Sequence, residues 1–242
     1  MGERSAIEWT ESTWNPVTGC SKVSPGCAHC YAEAFAERWR GIAGHHYEQG
    51  FDLRLWPQRL DQPLAWRKPR RIFVNSMSDL FHEDIPFEFI ERVFDVMVRA
   101  DHHIFQILTK REQRLTDLAS SLPWPDHIWM GVSIENRRFV HRADALRGTP
   151  AAVKFISAEP LLGPLIGLDL CDIDWLIAGG ESGPRHRQVR AEWICELRDR
   201  CRDEDVAFFF KQWGGRTSKA GGRLLEGQEW SQMPDVNQLV PA

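Results

Sequence analysis

The chain has 242 residues, 43% of them apolar, and sets 30 lysines and arginines against 34 acidic residues for a formal charge of −4. That length and composition describe an ordinary soluble globular chain with material for one large core, and the charge excludes any general pull toward polyanions. No apolar run approaches a membrane span, and Met1–Trp9 lacks both a basic start followed by an apolar stretch and a small-residue cleavage site, so a cytoplasmic protein with no membrane partner is expected.

Ile7–Val17, with Trp9, Trp14 and Asn15-Pro16, reads as an extended segment carrying a first strand into a loop that holds Cys20, Cys27 and Cys30. Pro25-Gly26 is a turn dipeptide able to fold the six-residue gap back on itself, and Cys27-x-x-Cys30 is the short chelating bite of iron-sulfur and zinc sites. A helix starting at Tyr31 sets Cys30 beside backbone N–H groups that favour an anion. Three thiolates leave a tetrahedral site one ligand short. A cubane cluster would keep one iron open, zinc would recruit His29 or His82, and unligated cysteines are the third alternative. In a reducing compartment six cysteines argue for metal ligation rather than three disulfides. Cys171, Cys195 and Cys201 lack the clustering, and Cys201 falls on the helical stripe Trp193, Ile194, Leu197, so these three read as core or flank residues.

The helix from Tyr31 to about Trp39 ends at Gly41. From 41 to 70 the chain departs from any scaffold, with a short helix expected around Pro57–Trp66 and the His45-His46 pair exposed by default. Most of the eleven tryptophans read as structural. Arg67-Lys68-Pro69-Arg70-Arg71, and later Arg185, Arg187 and Arg190, are local basic groups that fit either a phosphate-binding patch for nucleic acid or solvated loops.

From Arg71 onward short β-rich runs appear at Ile72–Asn75, His103–Leu108, Ile128–Ile134, Val153–Ile156, Trp175–Ala178 and Val206–Phe210. Helical patterns stand at Pro86–Ala100, Arg111–Ala119, Asn136–Leu146 and Ala191–Arg202. The alternation predicts parallel pairing in an α/β full or partial (βα) barrel, with a doubly wound open sheet as the alternative. A single domain is expected over 1–242, with a C-terminal extension after 214. Just after the strands stand Ser76, Ser78 and Asp79, then Lys110 and Arg111, Glu135, Glu159, Gly179-Gly180-Glu181, and Lys211. A parallel barrel gathers such positions on one rim with the cysteine loop. There the carboxylates would meet a cofactor or substrate, or pair with Lys110, Arg111 and Lys211 across the mouth. Thr217–Arg223 reads as a Gly-rich basic loop, Leu224–Trp230 as a small hairpin about Glu226-Gly227, and the last residues as frayed.

The strings Ile7-Glu-Trp-Thr, Thr13-Trp-Asn-Pro, Pro25-Gly-Cys-x-x-Cys-Tyr-Ala-Glu33, Phe73-Val-Asn-Ser-Met-Ser-Asp-Leu-Phe-His82, Leu108-Thr-Lys-Arg111, Ser157-Ala-Glu-Pro160, Gly179-Gly-Glu-Ser-Gly183 and Phe209-Phe-Lys-Gln-Trp-Gly214 resemble the phage- and prophage-associated three-cysteine-motif proteins, a family of unknown function similar to radical S-adenosylmethionine enzymes. The resemblance implies a [4Fe-4S] cluster on Cys20, Cys27 and Cys30 whose open iron binds S-adenosylmethionine. An electron donor would drive its cleavage to a 5′-deoxyadenosyl radical acting on an unknown, nucleic-acid or nucleotide, substrate. By the same resemblance Ser76, Ser78 and above all Asp79 stand where the superfamily holds the methionyl amine, with Glu135, Glu159 and Glu181 next for ribose hydroxyls or a substrate cation. The cysteine gaps here are six then two residues, where that superfamily usually has three then two, and its Gly-Gly-Glu is replaced by Ser76-Met77-Ser78-Asp79. A non-enzymatic iron-sulfur or zinc protein that binds nucleic acid on the same scaffold is the second expectation.

Overall fold

The computed structural model describes residues 5–217 and 219–235. Seven strands form one parallel sheet: β1 (Ser12–Trp14), β4 (Arg71–Val74), β5 (Ile104–Thr109), β6 (Ile128–Ser133), β7 (Lys154–Ala158), β8 (Trp175–Gly179) and β9 (Ala207–Gln212), adjacent in that order. Because spatial order follows chain order, no strand reverses direction of winding, so the doubly wound alternative is corrected to a singly wound sheet. It curls into a half-barrel. Among the described residues β1 and β9 do not pair, so the barrel stays open. The chain after β9 covers that edge, with the Phe210 N–H donating to Trp230 O at 2.9 Å and the Gln232 N–H to Phe208 O at 3.1 Å, which shields an edge that would otherwise recruit strands.

Strand alternation divides the core. One face of the sheet carries Ile72, Val74, Phe105, Ile107, Met130, Val132, Ile156, Leu176, Phe208 and Phe210 against the helices. The concave face carries Phe73, Trp129, Phe155, Trp175 and Phe209, with Trp9 packed among them. Five strand aromatics with Trp9 fill a half-barrel that lacks the remaining strands of a closed one, so Trp9, Trp129 and Trp175 are buried in this second core.

The helices follow the expected pattern with informative departures. Helix α2 (Phe87–Arg99) buries Phe89, Ile90, Val93, Phe94 and Met97, an i, i+3, i+4 stripe. Helix α5 (Ala191–Asp203) buries Ile194, Leu197 and Cys201, as expected for Cys201, and Cys195 packs partly against the same core. Helix α3 is Glu112–Leu118. The expected helix Asn136–Leu146 is instead a 3-10 turn, Arg137–Phe139, and a short α4 (Arg142–Arg147). The break falls where the Arg142 guanidinium turns back under the strand end to reach Ser133 O at 2.8 Å. Pro57–Trp66 also divides into two 3-10 turns, Pro57–Arg59 and Pro63–Ala65, because Pro63 removes a donor from the interior of any continuous helix. Between β7 and β8 there is no helix; the Pro- and Gly-interrupted stretch 160–174 covers the sheet with buried Leu161, Leu165, Leu168, Leu170 and Ile173.

The excursion 41–70 is tied back by an antiparallel pair, β2 (Val17–Thr18) with β3 (Arg54–Leu55). The hairpin is β10 (Leu224–Leu225) with β11 (Gln228–Glu229), turning at Glu226 and Gly227, both at positive φ. The residues expected to fray lie outside the described ones. Among the described residues no helix is long and apolar enough to cross a membrane.

Candidate metal centre at the strand-end rim

The cysteine loop leaves β1 and β2 and lies across the C-terminal ends of the strands. Gly19 bridges Ser78, its N–H donating to Met77 O at 2.9 Å. At Gly19 φ is +85°, and a Cβ there would run into the Asp52 backbone, so this close crossing requires glycine. Ser21 then reaches the loop after β4 and the start of α3: its Oγ meets His82 Nε2 at 3.0 Å and accepts from Arg111 Nη2 at 2.8 Å. Further on, Ser24 Oγ donates to Glu135 Oε1, and Gly26 leaves no room for a side chain against Glu135. Pro25 O accepts from Arg187 Nη2 at 3.0 Å, and His29 Nδ1 meets Glu181 Oε2 at 3.1 Å. Residues after β4, β5, β6 and β8 thus fasten the loop. Helix α1 (Tyr31–Ala36) begins where the loop ends, and the Tyr31 hydroxyl donates to Ser76 O at 2.6 Å.

The rim carboxylates separate by what they touch. Asp79 Oδ1 accepts from Thr109 Oγ1 at 2.7 Å and the Phe81 N–H at 3.0 Å, while Oδ2 accepts from the Lys110 N–H at 3.0 Å and faces Arg111 Nε at 3.8 Å. Ser76 Oγ is bonded to Asn15, and Ser78 Oγ donates to Val17 O while accepting from Asn75 Nδ2. These three residues clamp β1, β4 and β5 together at the rim. Glu135 is fully buried and pairs with Arg142 Nη1 at 3.1 Å and more distantly with Lys110 Nζ at 3.8 Å. Burial alone would push Glu181 up, but hydrogen bonds from the Arg187 guanidinium, the Arg187 N–H and His29 hold it down to about 2. Glu159 differs from these. Its Oε1 bonds Lys211 Nζ at 2.6 Å, both side chains retain access to solvent, and Glu159 stands between the strand ends that carry Glu135 and Glu181 while Lys211 reaches it from β9.

Hydrogen-bond donors face the sulfurs. Arg111 Nη2 lies 3.7 Å from Cys20 Sγ and the N–H groups of Ala32 and Glu33 act on Cys30, while Cys27 Sγ lies 3.7 Å from Ser24 Oγ, whose own proton goes to Glu135. Burial, then the Asp79 carboxylate, pushes the Cys20 thiol up to about 11 despite Arg111, and burial likewise raises Cys30. A bound metal must therefore displace protons. Among the described residues no group of three or more His, Cys, Asp or Glu side chains is gathered tightly enough to hold a metal ion as it stands. His82 has both nitrogens engaged, since Nδ1 accepts the Asp84 N–H at 3.1 Å and Nε2 meets Ser21. Among the described residues His29 Nε2 has no hydrogen-bond partner, while Glu181 orients the ring through Nδ1. Cys171, in the loop before β8, and Cys195 and Cys201, on α5, belong to other parts of the fold.

The two basic groups stand at opposite ends of the sheet. Arg67–Arg71 leads into the start of β4, whereas Arg185, Arg187 and Arg190 follow the end of β8. Within the second group Arg187 is engaged by Glu181 and Pro25, so it is a loop fastener rather than a free phosphate ligand. Sequence reasoning missed Arg142, Ser24 and the His29–Glu181 pair. Arg142 had a readable signal, a charge between Phe139, Ala143 and Leu146 on an otherwise apolar helical face; the other contacts span more than a hundred residues and had none.

Residues 4–234 match the pattern of a family described as "Protein of unknown function (DUF5131)", and the chain belongs to that family. No curated protein and no solved structure gives a significant match.

Proposed function

We propose that this member of the DUF5131 family is a radical S-adenosylmethionine-type enzyme with a [4Fe-4S] cluster on Cys20, Cys27 and Cys30, related through its motif strings to the phage- and prophage-associated three-cysteine-motif proteins. The observation that carries the proposal is the cysteine loop itself. It is fastened across the strand-end mouth of a parallel half-barrel, with donors facing its sulfurs and one solvent-accessible carboxylate-ammonium pair, Glu159–Lys211, beneath it. Three thiolates, two of them in the short Cys27-x-x-Cys30 bite, are a donor set that would hold a cubane with one iron left open. When bound, cluster and S-adenosylmethionine supply hydrogen-abstracting chemistry that no side chain offers.

The chain's own residues do the holding. Arg111 and the N–H groups of Ala32 and Glu33 give hydrogen bonds that stabilise negative charge on the Cys20 and Cys30 sulfurs. Asp79, closed in by Thr109, Lys110, Phe81 and Arg111, positions the rim; Glu159 would hold the methionyl ammonium, and its partner Lys211 would be free to meet a carboxylate. The test is anaerobic reconstitution, dithionite reduction with S-adenosylmethionine, and mass spectrometry for 5′-deoxyadenosine and methionine. Glu159→Gln should cut cleavage by at least about tenfold, the loss of one charge-assisted contact, with iron retained. An intact cluster that neither binds nor cleaves S-adenosylmethionine would refute the enzyme reading.

One observation favours a second reading, a zinc-containing binding scaffold. His29 presents an Nε2 with no hydrogen-bond partner among the described residues while its Nδ1 meets a carboxylate, the arrangement that orients zinc-ligating histidines. Stoichiometric zinc lost in His29→Gln would select it.

A further inference from the structure

We infer that the rim around the cysteine loop is a binding face for single-stranded nucleic acid; the inference deepens the reading of this rim as the substrate face. The formal charge of −4 hides an uneven distribution. The rim acids Asp79, Glu135, Glu159 and Glu181 all have cationic partners. Three of the strand-end loops then carry exposed cations that no carboxylate among the described residues neutralises: Arg137 and Arg138 after β6, Arg185 and Arg190 after β8, Arg216 and Lys219 after β9. Parallel strands deliver all three loops to one end, so the positive charge forms an arc beside the cysteine loop.

Aromatic surface stands on the same rim, where α1 follows the cysteine loop. Of the large apolar side chains exposed among the described residues, Val23 (40%), Tyr31 (58%), Phe35 (41%) and Ile42 (49%) fall in this one segment, while the others are scattered. Tyr31 and Phe35 stand four residues apart on α1 and share a face. Both rings are braced: the Tyr31 hydroxyl holds Ser76 O, and Phe35 meets the Tyr47 ring edge-on at 5.6 Å. Braced, exposed rings on the same rim as the unpaired arginines provide stacking surfaces for unpaired bases, and the arginines provide cations for the connecting phosphates. An acidic protein would answer the charge but has no use for stacking rings, and a duplex hides its base faces.

The experiment is fluorescence anisotropy of a labelled mixed-sequence oligonucleotide, single-stranded and duplex, and of a polyglutamate peptide, against the full chain over a salt series. Single strands should bind more tightly than duplex or peptide. The variant Arg137→Gln/Arg138→Gln should flatten the log affinity against log salt slope by about 1.4, about 0.7 for each phosphate contact removed. Phe35→Ala should weaken binding about tenfold at constant slope, the scale of one lost stack. Arg67→Gln/Lys68→Gln, at the opposite end of the sheet, should change neither. The same titration on Cys20→Ser separates the two proposals, since binding without iron retains this inference whatever becomes of the cluster. Preference for duplex or peptide, an equal effect from Arg67→Gln/Lys68→Gln, or absence of single-strand binding at low salt would overturn it.

Discussion

Glu135→Gln tests whether the buried ion pair under the cysteine loop holds that loop in place. The carboxylate is wholly buried, and Arg142, at 2% side-chain exposure, contacts it at 3.1 Å. Arg142 keeps Glu112 at 3.1 Å, Ser133 O at 2.8 Å and the Phe139 ring at 4.3 Å, so its charge is not abandoned when Glu135 is neutralised. Breaking a buried pair typically costs about 3–5 kcal/mol, and the remaining partners place this case near the lower end, about 3 kcal/mol. For a chain of this size that corresponds to a fall in Tm of about 6–12 °C. Arg142→Met in the Glu135→Gln background removes the guanidinium that has lost its fully buried partner, so the double variant should be less destabilised than the sum of the single ones by more than about 1 kcal/mol. Urea denaturation of the four proteins gives the coupling, and iron content after reconstitution reports the loop. Additivity of the single effects, or full iron retention at wild-type stability, would refute the reasoning.

Gly19→Ala should strand Cys20, because its φ of +85° disfavours a side chain and the Cβ meets the Asp52 backbone; reduced iron loading is the readout, and unchanged loading contradicts the close crossing. Gly131→Val should destabilise by about 1–3 kcal/mol through overpacking against the buried Phe155 ring, read by denaturation. His46 is held at about 4 by burial, then by Arg59, below its ordinary 6.5. A depressed base binds its proton more readily unfolded, so its contribution is complete above about 6.5 and is lost as pH falls toward 4. Discounted for partial solvent access, that is about 1–2 kcal/mol, and His46→Asn should remove the part of the acid sensitivity between pH 6.5 and 4 that belongs to this residue.

The half-barrel was legible because its strands are short β-branched and aromatic runs separated by helical stripes, a pattern that depends on neighbours in sequence. Rim positions were legible for the same reason: Glu135, Glu159 and Glu181 each stand just past a strand end. Their division of labour was not. Whether a rim glutamate is closed off by Arg142, tied to Arg187 and His29, or left beside Lys211 depends on contacts between distant loops, which carry no local periodicity. Proline explains the helix lost at 57–66. The division at 136–147 follows from a buried guanidinium whose partners lie on the preceding strand.

The most direct test of the central claim is iron and acid-labile sulfide per chain after strictly anaerobic purification, with zinc measured in the same samples. About four irons per chain are predicted, lost in Cys20→Ser, Cys27→Ser or Cys30→Ser and retained in Cys171→Ser, Cys195→Ser and Cys201→Ser. Stoichiometric zinc without iron in the wild-type chain, or iron that survives replacement of Cys20, Cys27 and Cys30, would contradict it.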